Sequence, residues 1–230
     1  MLTLCEGLKD GDLSDVTNAG LIKFAEIQKN SYNISDIIIF IIIGCLGGLL
    51  GSLYIFINSN LAKVRKYKLK AKWLKLLEAS VIAFVGASVV FFLPSIFEHL
   101  CTPPPEGVDK DITHRYRCAV EGEENPMATL FFSTEGDTVK FLLTAFKQGS
   151  DFNFFVSLTF FLVWFFFCAI EYGIAIPAGL FFPGLLIGAS LGHFVALFLN
   201  KVGALSTENM LESMSVFAIV GGVAVLTGYT

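Results

Sequence analysis

The sequence predicts an all-α polytopic membrane protein with one interrupted membrane helix, and three observations carry that prediction. Hydrophobic residues make up 54% of the 230 positions and charged residues only 16%, with a mean hydropathy of +0.69. Soluble domains carry roughly 25% charged residues. The charges are also gathered into short segments, leaving uncharged runs long enough to cross a bilayer. The third observation is the stretch from Gly173 to Gly192, which is apolar yet punctuated by Pro177, Gly179, Pro183 and Gly184. Proline removes a backbone donor and clashes with the preceding turn. The stretch should therefore break near Ile176 to Gly179 and restart as a helix close to Phe181 to Pro183.

Taken in order, residues 1–35 mix polar and apolar positions, with Asp10, Asp12 and Asp15 close together, and read as a loop before the first membrane helix. The start has neither the cationic end nor the apolar run of a signal peptide. Asn33-Ile34-Ser35 spells a glycosylation sequon, but it abuts the next apolar run and reads better as a loop asparagine beside a helix cap. Residues 36–100 read as two membrane helices joined by a basic cytosolic linker. The first runs from Ile37 to Ile57 and holds Gly44, Gly47, Gly48 and Gly51, two overlapping Gly-xxx-Gly spacings suited to close packing within one subunit. The linker carries Lys63, Arg65, Lys66, Lys68, Lys70, Lys72 and Lys75, the positive charge that marks a cytosolic side. The second segment runs from Leu76 to Leu100, and Glu78 near its start is placed to answer the lysines.

Residues 101–127 form a polar loop that falls on the lumenal or extracellular side if the preceding segment crosses once. Cys101 and Cys118 bracket part of it, and on that side a disulfide between them is the favoured reading. Cys45 and Cys168 lie in apolar runs and read as small buried hydrophobes. The remainder, 128–230, holds further membrane segments. Met127 to Phe132 is a short apolar patch, and Val139 to Phe146, after a polar run, suggests an amphipathic or re-entrant helix. Phe152 to Ile170 is a spanning candidate whose phenylalanines face lipid and other helices. After the broken stretch, Gly184, Gly188 and Gly192 share one helical face. Ser206 to Ser213 reads as a loop. Val216 to Thr230 would span only ~22 Å at ~1.5 Å per residue, which reads as a truncated last segment.

Several kinds of chemistry find no support. There is no H-E-x-x-H, no C-x-x-C and no phosphate-binding loop, so neither a metal nor a nucleotide cofactor is expected. No basic field points to nucleic acid. Gly188-Ala-Ser-Leu-Gly192 has the letters of a nucleophile elbow with His193 beside it, but an elbow needs a strand turning into a helix. Ser190 and His193 read as packing residues, and no enzymatic activity is expected. The broken stretch is different. A helix that starts at membrane depth exposes N–H groups without intrahelical partners, and a dehydrated anion suits both those donors and the positive end of the helix dipole.

Gly179-Leu180-Phe181-Phe182-Pro183, preceded by Gly173-Ile-Ala-Ile-Pro177, resembles the G-x-F-x-P signature of the CLC family of voltage-gated chloride channels and chloride/proton exchangers. Phe40 to Tyr54 with Asn58 resembles the family's G-x-x-G-G-x-x-G helix, and Asn125-Pro-Met-Ala-Thr-Leu-Phe-Phe132 resembles its endolysosomal and plant-organelle branch. The resemblance covers roughly residues 20–230. It implies part of a helical inverted-repeat fold that works in the lipid bilayer as a homodimer. It further implies transport of chloride or another small anion, with the ion held by the amides of Leu180 and Phe181 beside Gly179, Phe182 and Pro183. The location it implies is an intracellular membrane, endolysosomal or vacuolar, with the plasma membrane as the second choice. The family's G-S-G-I-P and G-[KR]-E-G-P motifs do not occur in the chain. A truncated, non-conducting protein that binds or regulates full-length relatives is therefore the alternative reading.

Overall fold

A computed structural model describes residues 34–103, 113–144, 153–203 and 207–229. Their ordered elements are helices: α1 (Ile34–Lys68), α2 (Lys72–Ile96), α3 (Pro126–Phe132), α4 (Glu135–Thr144), α5 (Phe154–Glu171), α6 (Phe181–Lys201) and α7 (Thr207–Gly228), with a single 3₁₀ turn at Glu98–Leu100 after α2. Among the described residues, α1, α2, α5 and α6 are long and apolar enough to cross a membrane. The loop expected over residues 1–35 lies outside the described residues except for Ile34 and Ser35, which are already helical.

Helix α1 is 35 residues long, or about 52 Å at 1.5 Å per residue, well beyond the ~30 Å hydrocarbon core. The basic cluster is consequently not a loop. Lys63, Arg65, Lys66 and Lys68 ride on the last turns of α1, Lys72 and Lys75 open α2, and only residues 69–71 lie between the helices. Lysine and arginine are good helix formers, so nothing obliges the helix to end where the apolar run does. One face of α1 is buried, through Ile43, Gly47, Gly51 and Tyr54 at spacings of three and four. Gly44 and Gly48 face open space. Cys45 is exposed on that outer side, against the expectation of burial, whereas Cys168 on α5 is buried.

The bundle is organised around α6, which is buried over almost its whole girth between Gly184 and Ala196. Its glycines make this possible. A Cβ on Gly188 would strike the backbone of Gly221 and Gly222, and one on Gly192 the backbone of Phe217 in α7. On the other flank of α7, Gly47 and Gly51 of α1 meet Ala224 and Gly228 in the same manner. Backbone against backbone of this kind gives dispersion contacts that larger side chains would prevent. The polar run from Thr207 is helical rather than a loop, which gives α7 22 residues or about 33 Å. Its apolar part, Met214–Gly228, overlaps the short segment read from the sequence as Val216 to Thr230.

The short apolar patch after the polar loop is α3, and α4 folds back against it. Asn125 caps α3, its Oδ1 accepting from the N–H groups of Met127 and Ala128 at 3.0 and 3.2 Å. Its Nδ2 donates to the carbonyls of Pro94 at 2.9 Å and Tyr116 at 3.3 Å, so one buried amide joins α2, the polar loop and α3. The Thr138 hydroxyl of α4 bonds to the carbonyl of Leu130 in α3 at 3.2 Å. At 7 and 10 residues neither helix is long enough to span, and α4 buries Leu142 and Leu143 near its end. Its last carbonyls are answered by neighbours: Leu142 O pairs with His193 Nε2 of α6, and Leu143 O accepts from Ser215 Oγ of α7 at 2.7 Å. Cys101 and Cys118 form the expected disulfide, beside the backbone bridge between Thr102 and Glu124. Helix α2 separates this bridge from the basic cluster by its full length of 25 residues.

Candidate anion-binding site

The interrupted stretch falls where proline and glycine place it. Helix α5 ends at Glu171, residues 172–180 are not helical, and α6 begins at Phe181 with Leu180 as its N-cap. Leu180 offers no side-chain cap, and no acidic residue lies in the first turn. The first intrahelical bond is from Gly184 N–H to Leu180 O at 3.0 Å, Pro183 has no N–H, and the N–H groups of Phe181 and Phe182 have no backbone acceptor among the described residues. The positive end of the dipole thus has no side-chain cap and no first-turn carboxylate among the described residues. Gly179 is exposed, and a Cβ there would meet nothing within 4 Å. Phe181 is 51% exposed, so the helix start opens outward from the portion of protein described.

The left-handed turn of the stretch is made at Gly173, with φ of 89°, not at Gly179. The two glycines differ in surroundings: a Cβ on Gly173 would sit 3.4 Å from Arg65 Nη1, whereas one on Gly179 would meet no atom of the described residues within 4 Å.

The end of α5 is held from α1 by residues that the charge pattern alone assigns to topology. Arg65 donates from Nη2 to Ile170 O at 2.5 Å, from Nη1 to Tyr172 O at 2.9 Å and from Nε to Glu78 Oε1 at 2.7 Å. Asn58 Nδ2 donates to Tyr172 O at 2.9 Å and to Ala169 O at 3.4 Å. The unpaired carbonyls of a helix C-terminus thereby gain donors, and a cation stands at the negative end of its dipole. Glu78 pairs with the arginine rather than with a lysine. The available signal was that Arg65 is the single arginine among six lysines, and only a guanidinium can serve three acceptors in one plane.

The elbow-like letters do not form a strand-to-helix turn. Ser190 lies mid-helix, its hydroxyl donating to Ile187 O at 2.9 Å and its carbonyl accepting from Ser157 Oγ at 3.0 Å. His193 is fully buried against α4, which makes it a packing residue.

Such a molecule belongs to a definite class: polytopic α-helical membrane proteins with a discontinuous helix, the construction with which transporters place helix ends near a solute. Within that class the chain belongs to the voltage-gated chloride channel family, whose model matches residues 12–230. It is 34% identical over 222 residues to the putative chloride channel-like protein CLC-g of Arabidopsis thaliana, covering 91% of this chain and 27% of that protein. It is 31% identical over 220 residues to the H(+)/Cl(-) exchange transporter 7 of Mus musculus, covering 95% of this chain and 26% of the transporter. The chloride channel protein CLC-d of Arabidopsis thaliana is 29% identical over 187 residues, with 75% of this chain and 23% of that protein aligned. The chain therefore spans about a quarter of the length of these relatives.

Proposed function

We propose that the intact protein moves chloride, or another small anion, across a membrane as a channel or a proton-coupled exchanger. The N–H groups of Leu180 and Phe181 form one wall of its anion site. The observation that carries this reading is the start of α6: an exposed helix N-terminus with no cap, no acidic residue in its first turn and open space beside Gly179. Neutral N–H donors suit transport, because they replace hydration without the deep trap of a buried ammonium group. Phe182 and Pro183 complete the first turn, and the proline sets where the helix begins. The names of the relatives support the ion and the membrane. The intact protein is a homodimer in an organelle membrane on this reading, which follows the branch that residues 125–132 resemble.

The test is chloride titration calorimetry on the intact protein in detergent. Gly179→Val places a branched side chain where no atom of the described residues lies within 4 Å, so it leaves their packing unobstructed while filling the space before the helix start. Chloride binding should be lost with thermal stability unchanged. Wild-type chloride affinity in a well-folded Gly179→Val protein would overturn the assignment.

A further inference from the structure

The first turn of α6 is buttressed from behind by the end of α7. Tyr229 is 9% exposed, and its hydroxyl donates to the carbonyl of Leu180 at 3.1 Å. That same carbonyl accepts from Gly184 N–H at 3.0 Å, so both lone-pair directions of the oxygen are occupied. Leu180 C=O and Phe181 N–H belong to one planar trans peptide group and point in opposite directions. Whatever fixes the oxygen therefore fixes the aim of the Phe181 N–H. The close approach is provided for on the other side of the contact, where a Cβ on Gly184 would coincide with the Tyr229 hydroxyl. The ring of Tyr229 is in turn seated against Tyr54 of α1, with centroids 4.9 Å apart, and Tyr54 lies 6.4 Å from Tyr172, the first residue past α5. Both ends of the interrupted stretch thus rest on one tyrosine cluster.

We infer that Tyr229 is a positioning residue for anion recognition: its hydroxyl, received by the glycine at 184, orients the Leu180–Phe181 peptide so that the Phe181 N–H faces the ion. The inference rests on the anion site proposed above and adds to it a residue that never touches the ion. Preorganised donors bind an ion more tightly and choose among ions more sharply than donors that must be ordered on binding. Without the hydroxyl, the peptide keeps a single hydrogen bond at the fraying end of its helix.

Tyr229→Phe in the intact protein tests this, since it keeps the ring on Tyr54 and removes one oxygen. One neutral hydrogen bond corresponds to roughly a two- to tenfold change in an equilibrium constant. Chloride affinity by calorimetry should accordingly fall about fivefold, and the chloride-to-nitrate affinity ratio should move toward one. The ratio is the deciding readout, because a purely structural role would lower thermal stability and leave the selectivity of the folded protein unchanged. Unchanged affinity and ratio in Tyr229→Phe would overturn the inference, and Gly179→Val measured alongside separates the causes. If Gly179→Val abolishes binding while Tyr229→Phe has no effect, only the positioning role fails. If neither substitution alters binding, the site itself is misplaced and the inference falls with it.

Discussion

Replacing Arg65 with methionine should destabilise the protein by about 3 kcal/mol, at the lower end of the 3–5 kcal/mol seen when one partner of a buried ion pair is removed. Arg65 serves three acceptors and its side chain is 11% exposed, against 19% for Glu78. Methionine fills much of the volume but leaves Glu78 without its cation and the carbonyls of Ile170 and Tyr172 without that donor. Each hydrogen bond to a charged group is worth roughly 1.5–3 kcal/mol, and access of water to the rim of the site lowers the sum. For a domain of 150–250 residues the loss converts to a fall of about 6–12 °C in the unfolding midpoint. The assay is thermal unfolding in detergent of wild type, Arg65→Met, Arg65→Lys, Glu78→Gln and the Arg65→Met/Glu78→Gln double variant. Lysine keeps the charge but cannot reproduce the fork, so Arg65→Lys should fall between wild type and methionine. The double variant should be more stable than the sum of the singles predicts, by about 1.5 kcal/mol, because the stranded carboxylate is then neutralised. An Arg65→Met midpoint within about 1 °C of wild type, or strictly additive singles, would refute the argument that this pair is desolvated and coupled.

Asn125→Ala removes a helix cap and the donor to Pro94 O and Tyr116 O, and should cost about 2–3 kcal/mol in thermal unfolding; Asn125→Asp keeps the cap oxygen and should cost less. Gly192→Ala and Gly188→Ala drive a methyl group into the backbone of α7 and should abolish a monodisperse peak in size-exclusion chromatography. Gly44→Ala and Gly48→Ala meet open space in the described portion and should leave that peak intact, with up to about 1 kcal/mol gained from helix propensity. Reductant should lower the unfolding midpoint of wild type, by an amount equivalent to about 3 kcal/mol for a loop of this length, and should have no effect on the Cys101→Ser/Cys118→Ser variant.

Much of the fold was legible because the membrane simplifies the problem. Hydrocarbon forces backbone groups to pair within a segment, so an apolar run such as Phe152 to Ile170 has one regular solution, and α5 occupies Phe154–Glu171. Proline chemistry is equally local, which is why the break and restart around Pro177 and Pro183 could be read from the letters. Helix ends governed by polar residues were not legible in this way. The lysines after Asn58 and the run from Thr207 to Ser213 continue as helix because water tolerates either conformation, and the tertiary structure chooses. Glycine spacing showed that Gly44, Gly47, Gly48 and Gly51 could pack closely, but only the arrangement of α7 decides that Gly47 and Gly51 do so. At the candidate site the sequence pointed to the first turn of α6. The groups that hold the interrupted stretch come from far along the chain, Tyr229 lying 49 positions from Leu180 and Arg65 107 from Tyr172, and no local pattern links them to it.

The clamp on the end of α5 also bears on the order in which the protein is made. Chains emerge from the N-terminus, so α1, with Asn58 and Arg65, is complete before residues 154–171 are synthesised. The carbonyls at the end of α5 therefore find their donors already present when that helix arrives. Helix α6 finds only part of its surroundings in place, through Ser157 of α5 and Leu142 of α4. Its glycine face matches α7, which is made after it, so α6 passes through a period in which Gly188 and Gly192 have no backbone to lie against. The glycine face of α6 is accordingly the part of its surface that waits for α7, while its other flank already meets α4 and α5. A substitution in α7 would then register first as a failure of biogenesis, before any measurement of ion movement could detect it.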